Sequence, residues 1–159
     1  MSVALAKTLR LRVAGWLVAR VSRRSPDVVI GSADDPYLLR WWVIPRNPAF
    51  NVYLHCFKRS DDDRALHTHP WLFNLSWLLL NSYREWIGDF SFFDHRAGDV
   101  KFRWGAAAHR IELTHGDCWT LFVTGTRIRE WGFLCPRGFV HWREFTAPHN
   151  PGEIGRGCE

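Results

Sequence analysis

The strongest constraint on the fold is a succession of short stretches rich in aromatic and β-branched residues, each followed by turn residues. Typical turns are Gly98-Asp99, Gly116-Asp117 and Thr124-Gly125. This punctuation indicates an all-β sandwich or barrel, and no β-α-β alternation is visible. We therefore predict strands near residues 39–45, 51–58, 65–80 with a break at Pro70, 82–87, 100–104, 108–114, 118–124, 127–135 and 139–145.

The aromatic content suits a small β-barrel whose interior is filled by side chains. The chain has 159 residues, 47% of them apolar, including ten tryptophans and eleven phenylalanines. This is enough for one domain with a substantial core, but it is too short for two. We assign a helix to residues 1–24, the barrel to residues 35–145, and an irregular tail to residues 146–159, where prolines and glycines accumulate.

The first 24 residues carry the basic charge of the chain. They contain six lysines and arginines and no acidic residue, and removing these six from the 21 basic residues leaves 15 against 16 acidic ones. From Val3 to Arg24, apolar residues recur at steps of three and four, which predicts an amphipathic helix. We interpret it as a helix laid against the domain with its arginines in solvent. The alternatives are a membrane-surface helix or an arm that binds nucleic acid or a protein partner.

We expect neither a membrane nor a nucleic acid as the partner of the domain. The longest apolar run, residues 13–19, is far shorter than the roughly 20 residues that cross a bilayer, and the body of the chain is nearly neutral. The cysteines, Cys56, Cys118, Cys135 and Cys158, are widely spaced and form no C-x-x-C pair. This spacing predicts neither a cysteine zinc site nor a disulfide framework, so we expect a reducing, cytoplasmic location.

Three histidines carry the chemical signal. His67 and His69 are separated by one residue, so on a strand both imidazoles project to the same face. Such a pair is weak evidence by itself, and a metal site needs a third ligand. His109 alternates in phase with Ile111 and Leu113, which places it on the apolar, inward face of a predicted strand. A histidine in that position is either a hydrogen-bonded core residue or a metal ligand.

The spacing of these histidines resembles that of the cupins, double-stranded β-helix barrels that hold one metal ion. The first cupin motif is Gly, five residues, His-x-His, three or four residues, Glu, six residues, Gly; the second is Gly, five residues, Pro-x-Gly, two residues, His, three residues, Asn. The matching positions of this chain are Asp61, His67, His69, Asn74 and Asn81, then Gly98, Trp104, Ala106, His109 and Leu113. The histidine spacings agree, but Asn74 replaces the glutamate. Small cupin-like proteins of phages and bacteria are also similar, around residues 61–64 and 119–125.

The resemblance implies a cupin-type jelly-roll barrel in which His67, His69 and His109 bind one divalent transition-metal ion. Fe(II) is favoured, and Zn, Ni, Mn and Cu are alternatives. Asn74, an acid such as Glu85, or water would complete the site, unless the barrel has lost its metal. Three histidines with open positions imply an enzyme acting on a small molecule. By resemblance to cupin oxygenases we favour a dioxygenase, with metal-assisted isomerisation or hydrolysis as other reaction types.

A non-catalytic module is the alternative function. In that case the barrel would bind a ligand or serve a structural role, and the basic helix would mediate assembly or partner binding. The replaced glutamate and the tryptophan-rich interior favour this alternative. The sequence leaves open whether the chain forms a homo-oligomer.

Several further residues are candidates for the site, although each is also an ordinary surface or packing residue. Five lie on or near strands that we expect to line the barrel mouth, where they would bind substrate, transfer protons or shape the pocket: Arg64, Tyr83, Glu85, Arg103 and Trp119. His55 and His141 are candidates for groups behind the metal ligands, whereas His95, His115 and His149 are assigned to loops. The run Asp61, Asp62 and Asp63 is interpreted as a solvated turn rather than a cation site.

Overall fold

The computed structural model describes residues 3–61 and 65–159, with side chains described from residue 8 onward in the first helix. Most of this part of the chain forms short strands. The elements are α1 (Val3–Val21), β1 (Val28–Gly31), β2 (Pro36–Trp42), β3 (Asn51–Phe57), β4 (Leu66–His67), β5 (Phe73–Leu80), β6 (Ser82–Trp86), β7 (Phe92–Arg96), β8 (Val100–Trp104), β9 (Arg110–Leu113), β10 (Cys118–Thr124), β11 (Gly132–Cys135), β12 (Gly138–His141), α2 (Trp142–Phe145), β13 (Thr146–Ala147) and β14 (Asn150–Ile154).

The strands form two layers around a central cavity. One layer is a six-stranded antiparallel sheet in the order β1-β2-β3-β10-β5-β8. The other consists of two three-stranded sheets, β12-β11-β4 and β7-β6-β9. The backbones of His67 and His109 join these two sheets, because each N–H donates to the other's carbonyl, at 2.8 and 3.0 Å. The predicted histidines therefore lie at the seam of the second layer.

The all-β prediction with an N-terminal helix is confirmed. Two strands, β1 and β7, were not predicted; each is only four or five residues long and lies at the edge of its sheet. Residues 146–159, for which the sequence predicts an irregular tail, contain a short hairpin of β13 and β14. The second strand of that hairpin packs against β1.

Side chains of the six-stranded sheet alternate between two buried faces. On the face away from the cavity, Leu54 and Cys56 of β3 pack against Ala14 and Val18 of α1. His55, between them, faces the cavity instead. This alternation is the period of two that a strand imposes. The helix therefore covers one face of the sheet and leaves the other to line the interior.

The packed side of α1 differs in part from the stripe that the apolar periodicity predicts, which consists of Leu5, Leu9, Val13, Trp16, Leu17 and Val21. The side chains that pack on the sheet are Ala14, Leu17, Val18 and Val21. By contrast, Leu9, Val13 and Trp16 are exposed, Trp16 to 65%. In the part of the chain that the structure describes, no helix has the length and apolar character that a membrane span requires.

A disulfide bond joins Cys135 of β11 to Cys158 in the tail, so the expectation of no disulfide is wrong. The two cysteines are 23 residues apart, and they meet because hydrogen bonds from Gly155 and Gly157 to Phe145 return the tail to α2, which packs against β11. A disulfide whose cysteines are brought together by the fold of the tail has no local spacing motif in the sequence. The bond also removes the argument for a cytoplasmic location, since disulfides persist mainly in oxidising compartments. Cys56 and Cys118 are free and buried.

Candidate metal centre

The structure brings His67, His69 and His109 together. His67 ends β4, His69 follows two residues later, and His109 immediately precedes β9. The ligand nitrogens of the three rings all lie within 4.8 Å of one another. Nε2 of His69 is 2.8 Å from Nε2 of His109. Residues that are 40 positions apart in the chain thus present their imidazoles to one point.

The three imidazoles are neutral at pH 7. Burial, above all, lowers the pKa of His67 below its usual value and lowers the pKa values of His69 and His109 well below theirs. The nearby guanidinium of Arg103 acts in the same direction on all three rings. Neutral imidazole is the form that binds a metal ion.

Two carboxylates lie behind the imidazoles. Oε1 of Glu85 is 2.8 Å from Nδ1 of His109, and Oδ2 of Asp61 is 3.8 Å from Nδ1 of His67. In both rings this leaves Nε2 for another partner. A carboxylate at the second ring nitrogen is the usual way in which proteins orient a metal-binding histidine. The donor set therefore fits a divalent transition-metal ion of the kind that imidazole prefers.

Glu85 is not itself one of the converging ligands. Its side chain is fully buried and lies beside the cationic ends of Lys101 and Arg103. Nε2 of His95 is 3.1 Å from Oε2 of Glu85. The Glu85 carboxylate faces the ring nitrogen of His109 that points away from His69, and it lies outside the group of converging ligand atoms. Its Oε1 lies beside Nδ1 of His109, although the geometry of this contact is not that of a hydrogen bond.

Asn74 occupies the position of the missing glutamate on β5. It is buried, and it pairs in register with Arg103 of β8 and Thr124 of β10. Its amide nitrogen has no hydrogen-bond partner among the residues that the structure describes. A neutral amide adds no charge to the centre, so the three imidazoles are the strong donors present.

The three histidines open into the central cavity, which has a volume of about 320 Å³. The walls between the two layers are mostly aromatic and apolar. Polar groups in the wall include Tyr83, Arg40 and His55. Trp131 and Pro151 close the side nearest the C-terminal tail. An apolar pocket with a few convergent polar groups is typical of a small-molecule site.

The other predicted mouth residues fall in different places. Tyr83 lines the cavity as expected, and Arg103 contacts Glu85. Trp119 does not line it: its ring stacks on Trp41 at 5.4 Å, on the face covered by α1. The sheet register shifts between Trp119 and Thr120, and Thr120 is the one that faces inward. The prediction for Arg64 lies outside the described residues.

Asp61 is a structural acid rather than a solvated turn residue. Its carboxylate accepts hydrogen bonds from the Tyr37 hydroxyl at 2.5 Å and from the Ile111 N–H at 2.6 Å. These contacts fix the loop behind His67. Asp62 and Asp63, predicted to belong to the same turn, lie outside the described residues.

The remaining histidines lie in different parts of the structure. His55 lines the cavity, and its Nε2 accepts a hydrogen bond from Arg40. His141 is not one of the converging histidines, and it caps α2. His95, predicted in a loop, lies on β7 and contacts Glu85. Arg40 was not among the residues predicted for the site. It is the one charged residue in the otherwise mostly apolar segment 37–42, and this isolation could have identified it.

No protein-family model and no curated protein matches the sequence. Solved structures match the fold instead. An RmlC-like cupin protein of Ralstonia eutropha superimposes with a TM-score of 0.51 at 14% identity, over 71% of this chain and 70% of that one. A protein of Klebsiella pneumoniae with a double-stranded β-helix domain gives a TM-score of 0.51 at 14% identity, over 66% and 89%.

A third similar structure is the DMSP lyase DddQ of Ruegeria pomeroyi. It has a TM-score of 0.51 at 12% identity and covers 72% of this chain. The present chain spans 61% of that lyase, less than two thirds of its length. At such identities the likeness concerns the fold and not the reaction. The chain has the fold of the cupin superfamily, a double-stranded β-helix.

Proposed function

We propose that this protein is a metal-dependent enzyme acting on a small molecule, with His67, His69 and His109 binding one divalent transition-metal ion. The observation that carries the proposal is the convergence of three neutral imidazoles, that of His109 buried and the other two half-buried, at the wall of a cavity of about 320 Å³. Three protein ligands leave coordination positions open for a substrate, as catalytic metal sites require.

Fe(II) is the proposed metal and dioxygenation the proposed reaction. When bound, such an ion supplies a site for O₂ and substrate together. Zn, Ni, Mn and Cu suit the same imidazoles, and with them the reaction would be isomerisation or hydrolysis. The name of the Ruegeria neighbour shows that the fold also serves a lyase, so the fold alone does not select the reaction.

The protein's own residues would support this chemistry in three ways. Glu85 lies 2.8 Å from Nδ1 of His109 and Asp61 lies 3.8 Å from Nδ1 of His67, and in both rings Nε2 is the nitrogen farther from the carboxylate. The cationic ends of Lys101 and Arg103 lie against the Glu85 carboxylate at the point where it faces His109. The aromatic wall, including Phe122 and Trp131, excludes water from the space in which a substrate would lie.

Elemental analysis tests the metal site. Protein produced without chelator should contain about one transition-metal ion per chain, and His67→Ala, His69→Ala and His109→Ala should each lose most of it. His149→Ala is the matched control, because that imidazole is exposed and distant in sequence from the centre. Wild-type protein that takes up no Fe, Zn, Ni, Mn or Cu would contradict the proposal.

A non-catalytic binding module is the second candidate. It is favoured by Asn74 in place of a glutamate and by the exposed Trp16 on a basic helix. For this function, Trp16→Ser, which changes an exposed side chain of the helix and leaves its packed face intact, should abolish self-association or partner binding while the domain stays folded. Analytical ultracentrifugation of the two forms distinguishes this candidate, since the enzyme proposal requires no such change.

A further inference from the structure

Arg40 places a positive charge in the wall of the cavity. Its neighbours on β2, Leu39 and Trp41, pack on the opposite face beneath α1. The Nε of Arg40 donates a hydrogen bond to Nε2 of His55 at 2.8 Å, and the guanidinium carbon lies 4.9 Å from the centre of the Tyr53 ring. These two contacts fix the guanidinium plane. Its two Nη groups make no hydrogen bond within the described ranges of the chain.

No carboxylate balances this charge within residues 3–61 and 65–159. Arg103, the other arginine near the centre, contacts Glu85. Arg40 has no such acid, and burial lowers its pKa from the usual value. An unpaired cation withdrawn from water costs free energy, whereas a paired and hydrogen-bonded one is tolerated. A guanidinium kept in this wall is therefore suited to an anion that arrives with a ligand.

The net charge at this end of the cavity is a single positive charge. Burial, together with the Arg40 charge, lowers the pKa of His55 well below its usual value, so His55 is neutral. Its Nε2 accepts from Arg40, which leaves the ring proton on Nδ1. A single planar guanidinium matches a singly charged, planar carboxylate. A phosphate dianion would require a second cation or several convergent N–H donors.

The path from Arg40 to the three histidines is aromatic. His55 stacks on Phe122 with ring centres 4.9 Å apart, and Phe122 lies 6.2 Å from His69. Trp71 stacks on His69 at 5.4 Å. The cavity of about 320 Å³ is larger than the volume of about 150 Å³ that encloses one benzene. An aromatic ring with substituents at both ends therefore fits the available space.

We propose that the cavity binds a small carboxylic acid with an aromatic body, held by its carboxylate on Arg40. Its opposite end would lie against His67, His69 and His109. The inference rests on the proposed function for what happens at the histidine end. The binding of the ligand's carboxylate and aromatic body depends only on Arg40 and the aromatic wall.

Isothermal titration calorimetry with three probes tests whether Arg40 binds the carboxylate of a ligand. The probes are benzoate, its neutral analogue benzamide, and phenyl phosphate, each titrated at fixed ionic strength into chelator-treated and metal-loaded protein. Benzoate should bind about tenfold or more tightly than benzamide in both forms. Arg40→Gln should abolish this preference. Arg96→Gln, which removes an exposed arginine on β7, should retain it.

Three results would overturn the inference: benzoate that fails to bind, benzoate that binds no better than benzamide, and a preference that persists in Arg40→Gln. Tighter binding of phenyl phosphate would overturn the choice of carboxylate. If circular dichroism shows that Arg40→Gln does not fold, the comparison of benzoate with benzamide in the wild-type protein still tests the inference. A benzoate preference without metal uptake would contradict the proposed function only, and metal uptake without the preference would contradict this inference only.

Discussion

Glu85 is fully buried and is surrounded by Lys101, Arg103, His95 and His109. A buried carboxylate is stable only when charges and hydrogen bonds compensate it, and here two cations do so. The same carboxylate faces Nδ1 of His109 and leaves Nε2 of that ring for the centre. At the scale of single residues, the candidate metal centre thus depends on a group that is not a ligand.

Replacement of Glu85 by glutamine should weaken metal binding by about 10- to 100-fold, because the amide no longer fixes the orientation and basicity of His109. Competition with a chromophoric chelator measures this affinity. Glu144→Gln removes an exposed carboxylate on α2 and should leave the affinity unchanged. Equal affinities for the two variants would show that Glu85 does not position His109.

The neutral histidines predict that stability falls below about pH 6.5. Burial lowers the folded-state pKa values of His55, His67, His69 and His109 below the unfolded value of about 6.5. Between the two values the unfolded chain binds more protons, so acid favours unfolding. Each such histidine should reduce the free energy of unfolding by about 1.4 kcal/mol per pH unit in that range, with no effect above it.

Urea unfolding of metal-free protein at pH 7.5, 6.5 and 5.5 measures this dependence. The free energy of unfolding should fall more between pH 6.5 and 5.5 than between pH 7.5 and 6.5. His55→Gln, which removes one buried imidazole outside the metal centre, should make the loss smaller. A free energy of unfolding that is constant from pH 7.5 to 5.5 would contradict the assignment of neutral imidazoles.

The histidine positions were predictable from the sequence, whereas the partners behind them were not. Alternation placed His67 and His69 on one face, and motif spacing identified His109. The surroundings of Glu85 depend on the pairing of β6 with β7 and β9, which places Phe93 and Ile111 opposite it and brings the His95 ring to its carboxylate. That register is set by contacts between distant strands, so single-strand patterns did not reveal it.

At the scale of elements, the packing of α1 on the six-stranded sheet is the main contact outside the barrel interior. Leu54 is fully buried in this contact, together with Ala14 and Val18. The sequence predicted the helix but not its packed face, because apolar residues occur on more than one side of it. Only the sheet surface determines that Ala14 and Val18 are covered while Trp16 is exposed.

Leu54→Ala should lower the free energy of unfolding by about 2–5 kcal/mol, because it leaves a cavity between helix and sheet. Trp16→Ala should change it by no more than about 0.5 kcal/mol, because that larger side chain is mostly in solvent. Chemical denaturation of both variants tests the orientation of α1. If Trp16→Ala lowered the free energy of unfolding more than Leu54→Ala does, the helix would have to pack on the sheet through its other face.

At the scale of the whole molecule, the disulfide ties the tail to the barrel. Cys135–Cys158 closes a loop with a sequence separation of 23 residues, and Pro151 within that loop lines the cavity. The Cys135→Ser/Cys158→Ser variant should lose about 3 kcal/mol of unfolding free energy, because the unfolded chain regains the entropy of an open loop. Denaturation of the variant against the oxidised wild type checks this, and equal stability would show that the tail is held without the bond.

X-ray absorption spectroscopy of Fe(II)-loaded protein is the most direct test of the three-histidine site, since it reports the atoms bound to the ion. We expect three imidazole nitrogens at about 2.0–2.2 Å, with the imidazole contribution reduced in His109→Ala and unchanged in His149→Ala. A spectrum of a fully hydrated ion, or one unaffected by the loss of His109, would contradict the three-histidine site.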